Sequence, residues 1–187
     1  MSLIAILVEG EDDQYSYESL FKKVRPDLNI KTFLLNGCNK KALKDNFPIL
    51  REKINSQYSG YELGLIICDC DTKCAPERAK FMIDALGKAE IISGNIRIHA
   101  TNKELETFFL SCIEDVKIID DKHISFKKIK NLESITNHKE HLKNLLSRYN
   151  ITYGKKTAEQ ISQQLDINKL EKKSKNFGRL KEIICNI

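Results

Sequence analysis

The sequence predicts an α/β fold: an open, mostly parallel sheet of about four strands with helices on both faces, followed by a mostly helical C-terminal extension. Three observations predict it. Two aliphatic runs, Leu3–Val8 and Leu63–Cys68, are continuous rather than alternating, as in parallel strands covered on both faces. Strand-like and helix-like segments alternate over the first 120 residues, the grammar of β-α-β units. Beyond about residue 122 the helical signals continue alone.

The first strand, Leu3–Val8, runs into Glu9-Gly10-Glu11-Asp12-Asp13. Residues 14–24 place Tyr17, Leu20, Phe21 and Val24 at helical spacing, with Asp12 or Asp13 able to cap the first turn and Pro26 as the stop. Residues 29–35 read as a second strand and Asn36-Gly37 as a turn. Residues 40–55 read as a helix bent or broken at Pro48. The third strand, 63–68, ends in Asp69-Cys70-Asp71. Pro76 suits the first turn of a helix reaching Leu86. A fourth strand over 96–100 leads to an amphipathic helix over 103–112, and Val116–Ile119 reads as a further strand. In the extension, 138–149, 157–165 and 177–184 read as helices, and 169–175 as a lysine-rich patch. The expected organisation is an α/β domain over 1–121 and a basic, mainly helical extension over 122–187 packed on it.

A chain of 187 residues, 41% hydrophobic and 30% charged, is an ordinary globular composition. No apolar run approaches the roughly 20 residues of a membrane span. Met1-Ser2-Leu3 lacks the basic flank and cleavage site of a signal peptide, so a cytoplasmic location is the default expectation. The six cysteines are then expected as reduced thiols. Cys68-x-Cys70-x3-Cys74 would make a zinc half-site, but no second ligand pair stands out. No P-loop and no G-x-S-x-G motif occurs, so neither an ATPase of its own nor a serine hydrolase is proposed.

Charge is unevenly placed. Residues 123–187 hold 14 Lys/Arg against 6 Asp/Glu, a net +8, and the first 122 residues carry −3. An acidic front and a basic back suit a protein that works on a polyanion, although lysine-rich solvated helices give the same numbers. Lys173, Lys175 and Arg179, with Lys73 beside the acidic motif, are the candidate nucleic-acid contacts.

The acids carry the chemistry. In open α/β sheets sites form at the carboxyl ends of the strands. Glu9 and Asp69 stand at two such ends, and Asp13, four residues past Glu9, can point back to the same crevice. Asp69 and Asp71 share a face if the strand continues through them. Carboxylates converging there repel one another unless a cation sits between them, and a hard divalent cation prefers oxygen ligands. Such a cluster serves phosphoryl transfer, with a partly engaged carboxylate as general acid or base.

An aliphatic strand ending in Glu9-Gly10 and a second ending in Asp69-x-Asp71 resemble the Toprim domain of topoisomerases, primases, recombination-repair proteins and overcoming-lysogenization-defect (OLD) nucleases, a Rossmann-like fold. Val8-Glu9-Gly10-x-x-Asp13 is similar to the OLD form, in which the later Asp joins the metal site. Thr101–Leu110 is similar to a Glu-x-Glu-Ala-Trp-Leu segment of small stand-alone bacterial Toprim-like proteins found among defence genes, with Phe108 for the Trp. Lys173–Leu180 loosely resembles their closing helix. The resemblance covers residues 3–112 well and the rest weakly. It implies phosphodiester hydrolysis on nucleic acid with Mg²⁺ (or Mn²⁺), in bacterial defence or DNA maintenance. Glu9, Asp69 and Asp71 would be catalytic. Glu9, Asp13, Asp69, Asp71 and Glu106 would hold metal.

Glu104 and Glu106 are about 200° apart on a helix, so at most one of them faces the site; a solvated helix face is the alternative for both, and Glu106 is favoured. Leu105, Phe108, Phe109 and Cys112 form the apolar stripe. His99, near the end of the fourth strand, reads as a structural histidine. A rival from a different class is a nucleic-acid-binding or regulatory Toprim subunit without its own catalysis, working with a partner ATPase or nuclease. A flavodoxin-like or receiver-type domain, with Asp69 as phospho-acceptor, is the weaker third reading, because no convincing lysine partner follows a fifth strand.

Overall fold

The computed structural model describes residues 3–58, 60–70, 74–87, 91, 95–101 and 105–186. Four parallel strands form one sheet in the order β2-β1-β3-β4, with β1 at Leu3–Val8, β2 at Asn29–Leu34, β3 at Leu63–Asp69 and β4 at Ile96–Thr101. The two inner strands are the two runs without alternation: every residue of β1, and all of β3 but Asp69, is buried. The edge strands β2 and β4 mix buried with partly or fully exposed positions. Val8 pairs with Ile67 in register, so β1 and β3 finish side by side.

The connections explain which helix lies where. The chain leaves β1 through α1 (Glu11–Val24) to β2 on one side, then returns across β1 through α2 (Lys40–Tyr58) to β3 on the other. With right-handed crossovers, this reversal puts α1 on one face and α2 on the opposite face. The core divides accordingly. Ile4, Ile6, Val8, Leu65 and Ile67 pack against Tyr17, Leu20 and Phe21 of α1. Leu3, Ala5, Leu7, Ile66 and Cys68 pack against Leu43, Phe47, Leu50 and Ile54 of α2, and against Met82 and Ala85 of α3 (Ala75–Leu86). The topological switch point lies between β1 and β3.

Helix α2 runs unbroken through Pro48. Pro48 is exposed, so the carbonyl that its missing N–H would have met can turn to water. After α4 (Glu106–Ser111), Val116–Ile119 does not extend the main sheet. Ile118–Ile119 (β5) pairs antiparallel with Lys122–His123 (β6) in a separate two-residue hairpin. The turn residues Asp120 and Asp121 take positive φ and double the chain back.

The C-terminal segment forms α5 (His138–Ser147), α6 (Lys155–Gln164), α7 (Ile167–Lys173) and α8 (Lys175–Cys185). Helix α7 occupies most of the lysine-rich patch. Its start is built by Asp166, whose carboxylate accepts from the backbone N–H groups of Asn168 and Lys169. Leu142, Leu146, Ile161, Leu170, Phe177 and Leu180 belong to the same continuous core as β1 and α1. Lys23 on α1 donates to the carbonyls of Ser162 and Leu165 at the end of α6. Among the described residues no helix is long and apolar enough to cross a membrane.

Candidate metal centre at the carboxyl edge of the sheet

The switch point is where the acids stand. Asp69 is the last residue of β3, and its Oδ1 accepts a 2.8 Å hydrogen bond from the fully buried Thr101 hydroxyl at the end of β4. Asp13 lies in the first turn of α1, where its Oδ2 accepts from the Gly10 backbone N–H at 3.0 Å. Gly10 matters here for space: a Cβ on it would stand 3.2 Å from that oxygen. Glu106 opens α4 and is buried, its Oε1 accepting from the Tyr153 hydroxyl at 2.8 Å.

These three carboxyls feel one another. Burial, then the charges of Glu106 and Asp12, push Asp13 up to about 7, against the pull of the Gly10 N–H and Lys139. Burial and the charges of Asp13, Glu106 and Glu9 hold Asp69 well above the ordinary carboxylate range, although the Thr101 hydroxyl opposes this. Beneath them lies Tyr17, one turn after Asp13 on the same face of α1. Its side chain is 1% exposed, and its hydroxyl has no hydrogen-bond partner among the described residues. Burial and the charges of Asp13, Asp69 and Glu106 hold the phenol in its protonated form.

Glu9 stands at the same edge but turns to the other face. Its Oε1 accepts from the Cys38 backbone N–H at 3.3 Å, and its Oε2 lies 3.7 Å from an Arg78 guanidinium nitrogen. The turn at Asn36 (φ 57°) and Gly37 (φ 106°) makes the first contact possible. Two successive left-handed residues bring the Gly37 N–H to the Glu9 carbonyl and the Cys38 N–H to its side chain. Glu9 Oε2 is buried and makes no hydrogen bond among the described residues.

Two cations flank the acids. Arg78, on the first turn of α3, sits by Glu9, with its guanidinium 5.7 Å from the Phe81 ring centroid. Lys139, on the first turn of α5, lies 3.0 Å from Asp12 Oδ2 and 3.7 Å from Glu106 Oε1. Burial alone would lower its pKa; the bond to Asp12 and the charges of Glu106, Asp12 and Asp13 raise it instead. Neither cation was singled out in the sequence, because each lies far along the chain from the acid it meets. Tyr17 was legible only as part of a helix stripe, and Thr101 lies one residue past the expected end of the fourth strand.

Compared with known proteins, the chain matches no family model, no curated protein and no solved structure at a significant level.

Of the expected site residues, Asp13, Asp69 and Glu106 come together, with Glu9 at the margin. Asp71, Lys73 and Glu104 lie outside the described residues. The described chain has no group of three His, Cys, Asp or Glu side chains arranged to hold a metal ion. The donor chemistry nevertheless suits a hard cation: the donors are all oxygen, crowded and partly buried, and the Glu9 Oε2 and Tyr17 hydroxyl oxygens have no hydrogen-bond partner among the described residues. Lys173 is taken up elsewhere, donating to Glu114 Oε1 and the Ser111 carbonyl at 2.7 Å each. Lys175 and Arg179 are exposed on α8. His99 is held against Asn176, whose side-chain amide in turn donates to the Ala100 carbonyl, so it fastens α8 to β4. Burial lowers its pKa despite the Asn176 contact. Cys68 and Cys70 lie in the apolar core, and Cys74 is exposed. Burial pushes the Cys68 thiol up to about 12, which suits a packing residue and not a metal thiolate.

Proposed function

We propose that this chain is a Toprim-fold protein of phosphodiester chemistry, a nuclease that acts on nucleic acid with Mg²⁺ or Mn²⁺. One observation carries the reading. Asp69 at the end of β3, with Asp13 and Glu106 beside it, is buried at the switch point where burial and mutual repulsion hold Asp13 and Asp69 far above their ordinary range, and Glu9 ends β1 at the same edge. Asp13, Asp69 and Glu106 would hold the cation, with Glu9, and with Asp71 by the Asp-x-Asp pattern. A bound cation there would supply Lewis-acid stabilisation of charge on a phosphodiester. Glu9 would serve as general acid or base, or as a further metal ligand. Arg78 and the Cys38 N–H orient it, and its Oε2 is left without a hydrogen bond. Tyr153 and Thr101 fix the orientation of Glu106 and Asp69. Phosphate backbones would be drawn by the exposed Lys127, Lys128 and Lys130 ahead of α5, and by Lys175 and Arg179.

A second reading, a regulatory or binding subunit that works with a partner ATPase, is favoured by one feature. Two of the acids already have cations of their own, Arg78 for Glu9 and Lys139 for Glu106. Calorimetric titration with Mg²⁺ and Mn²⁺, wild type beside Asp69→Ala, separates the two. Binding confined to the wild type, followed by Mg²⁺-dependent cleavage of labelled DNA or RNA that Asp69→Ala abolishes, supports the nuclease. Absence of binding and of cleavage in the wild type sinks it and moves the subunit reading ahead.

A further inference from the structure

We propose that Lys139 is a tethered stand-in for the divalent cation: its ammonium compensates the acids on the α1 side of the site in the metal-free protein and leaves them when the cation binds. The inference rests on the metal-site reading above and adds a control on it.

Glu106 is the acid with least access to water, its side chain 4% exposed. A charge so placed is costly unless paired. The Tyr153 hydroxyl supplies a neutral hydrogen bond, and Lys139 supplies positive charge 3.7 Å from the same oxygen. The ammonium also meets Asp12 at 3.0 Å and lies 5.7 Å from the Tyr153 ring centroid, so it bridges the start of α1 to that of α4. Its own side chain is 42% exposed, at the end of a long flexible arm. It can swing into solvent without disturbing the core. A divalent cation that contacted Glu106 would face this like charge a few ångströms away, and the ammonium has the freedom to yield. A resident lysine would thereby set the concentration of metal at which the site fills.

The test compares wild type, Lys139→Met, Lys139→Arg and Asp69→Ala by calorimetry with Mg²⁺ at low ionic strength. Lys139→Met is expected to bind Mg²⁺ about fivefold more tightly, the scale of a half-exposed ion pair that no longer has to be broken. Its metal-free melting temperature should fall and recover with Mg²⁺. Lys139→Arg should keep the wild-type affinity, which a purely steric role for the side chain would not predict. Equal or weaker binding by Lys139→Met, with binding still lost in Asp69→Ala, overturns the inference and leaves the metal site standing. No binding by any of the four removes the metal site and the inference with it. Should Lys139→Met not fold, amine-reactive labelling of the wild type reads the same event. Modification of Lys139 should accelerate when Mg²⁺ is added, and an unchanged rate overturns the proposal.

Discussion

Replacing Asp13 with Asn tests the crowding of charge at the switch point directly. The substitution is nearly isosteric and keeps an amide oxygen to accept from the Gly10 N–H, so the start of α1 is preserved. It removes one negative charge from among Asp69, Glu106 and Asp12. In the folded protein Asp13 holds its proton up to about pH 7, against an ordinary value of 3.8. The folded pKa is raised, so the contribution of this group to stability is fully present below pH 3.8 and is lost as pH rises through about 7. At about 1.4 kcal/mol per pH unit, the loss approaches about 4 kcal/mol by pH 8. The Asn variant, with nothing to ionise, escapes it. In EDTA at pH 8 the variant should therefore be more stable than wild type by roughly 2–4 kcal/mol, a melting temperature higher by on the order of 10 °C. The gap should close towards pH 4. Denaturant unfolding of both proteins across pH 4–8 measures it, and taking the difference cancels groups that titrate alike in both, such as Glu114. An Asn variant that is less stable at pH 8, or a gap that does not change with pH, would refute the crowding of charge around Asp13.

Two other substitutions probe neighbouring claims. Tyr17→Phe deletes a buried hydroxyl that has no partner, and should raise metal-free stability by about 1–2 kcal/mol in urea unfolding; destabilisation would show that the hydroxyl is satisfied in solution. Pro48→Ala should stabilise α2 by about 2 kcal/mol, the helix-propensity gain less the entropy returned to the unfolded chain, and no gain in melting temperature would mean that α2 is already relaxed around the proline.

The fold was legible where local pattern and tertiary burden agree. The inner strands read as continuous aliphatic runs because both their faces are covered, and α1 and α3 read from period and capping residues. Reading failed where tertiary context overrode local signals. Pro48 suggested a break, but it sits on the solvent side of a helix anchored by Leu43, Phe47, Leu50 and Ile54. Val116–Ile119 has the composition of a strand, but two residues with positive φ turn it into a hairpin away from the sheet. Helix α7 was hidden because five of the seven residues from 169 to 175 are lysine or serine, with Leu170 its only fully buried side chain. Of the site, the acids were legible because a charged residue after a buried strand is conspicuous. Their cations were not, since Arg78 and Lys139 are ordinary surface-type residues until the fold brings them to Glu9 and Glu106.

Strand alternation explains why the acids do not close on one point. On β1 the even residues Ile4, Ile6 and Val8 face α1, so Glu9, the next odd residue, falls on the side of α2 and α3. On β3 the odd residues Leu65 and Ile67 face α1, so Asp69 falls on that side, with Asp13 and Glu106. The two strand-end acids therefore straddle the sheet edge, and the charge of Glu9 acts on Asp69 less than those of Asp13 and Glu106 do. Each side has its own cation, Arg78 on one and Lys139 on the other. A metal ion that engaged both sides would have to sit beyond the strand ends, where Glu9 can reach over the edge. Glu9 would then have to leave Arg78, as Glu106 would leave Lys139 under the proposal above. On this geometry a cation that engaged both sides would compete with the side chains of Arg78 and Lys139, and nucleic acid that drew off the guanidinium or the ammonium would favour metal binding.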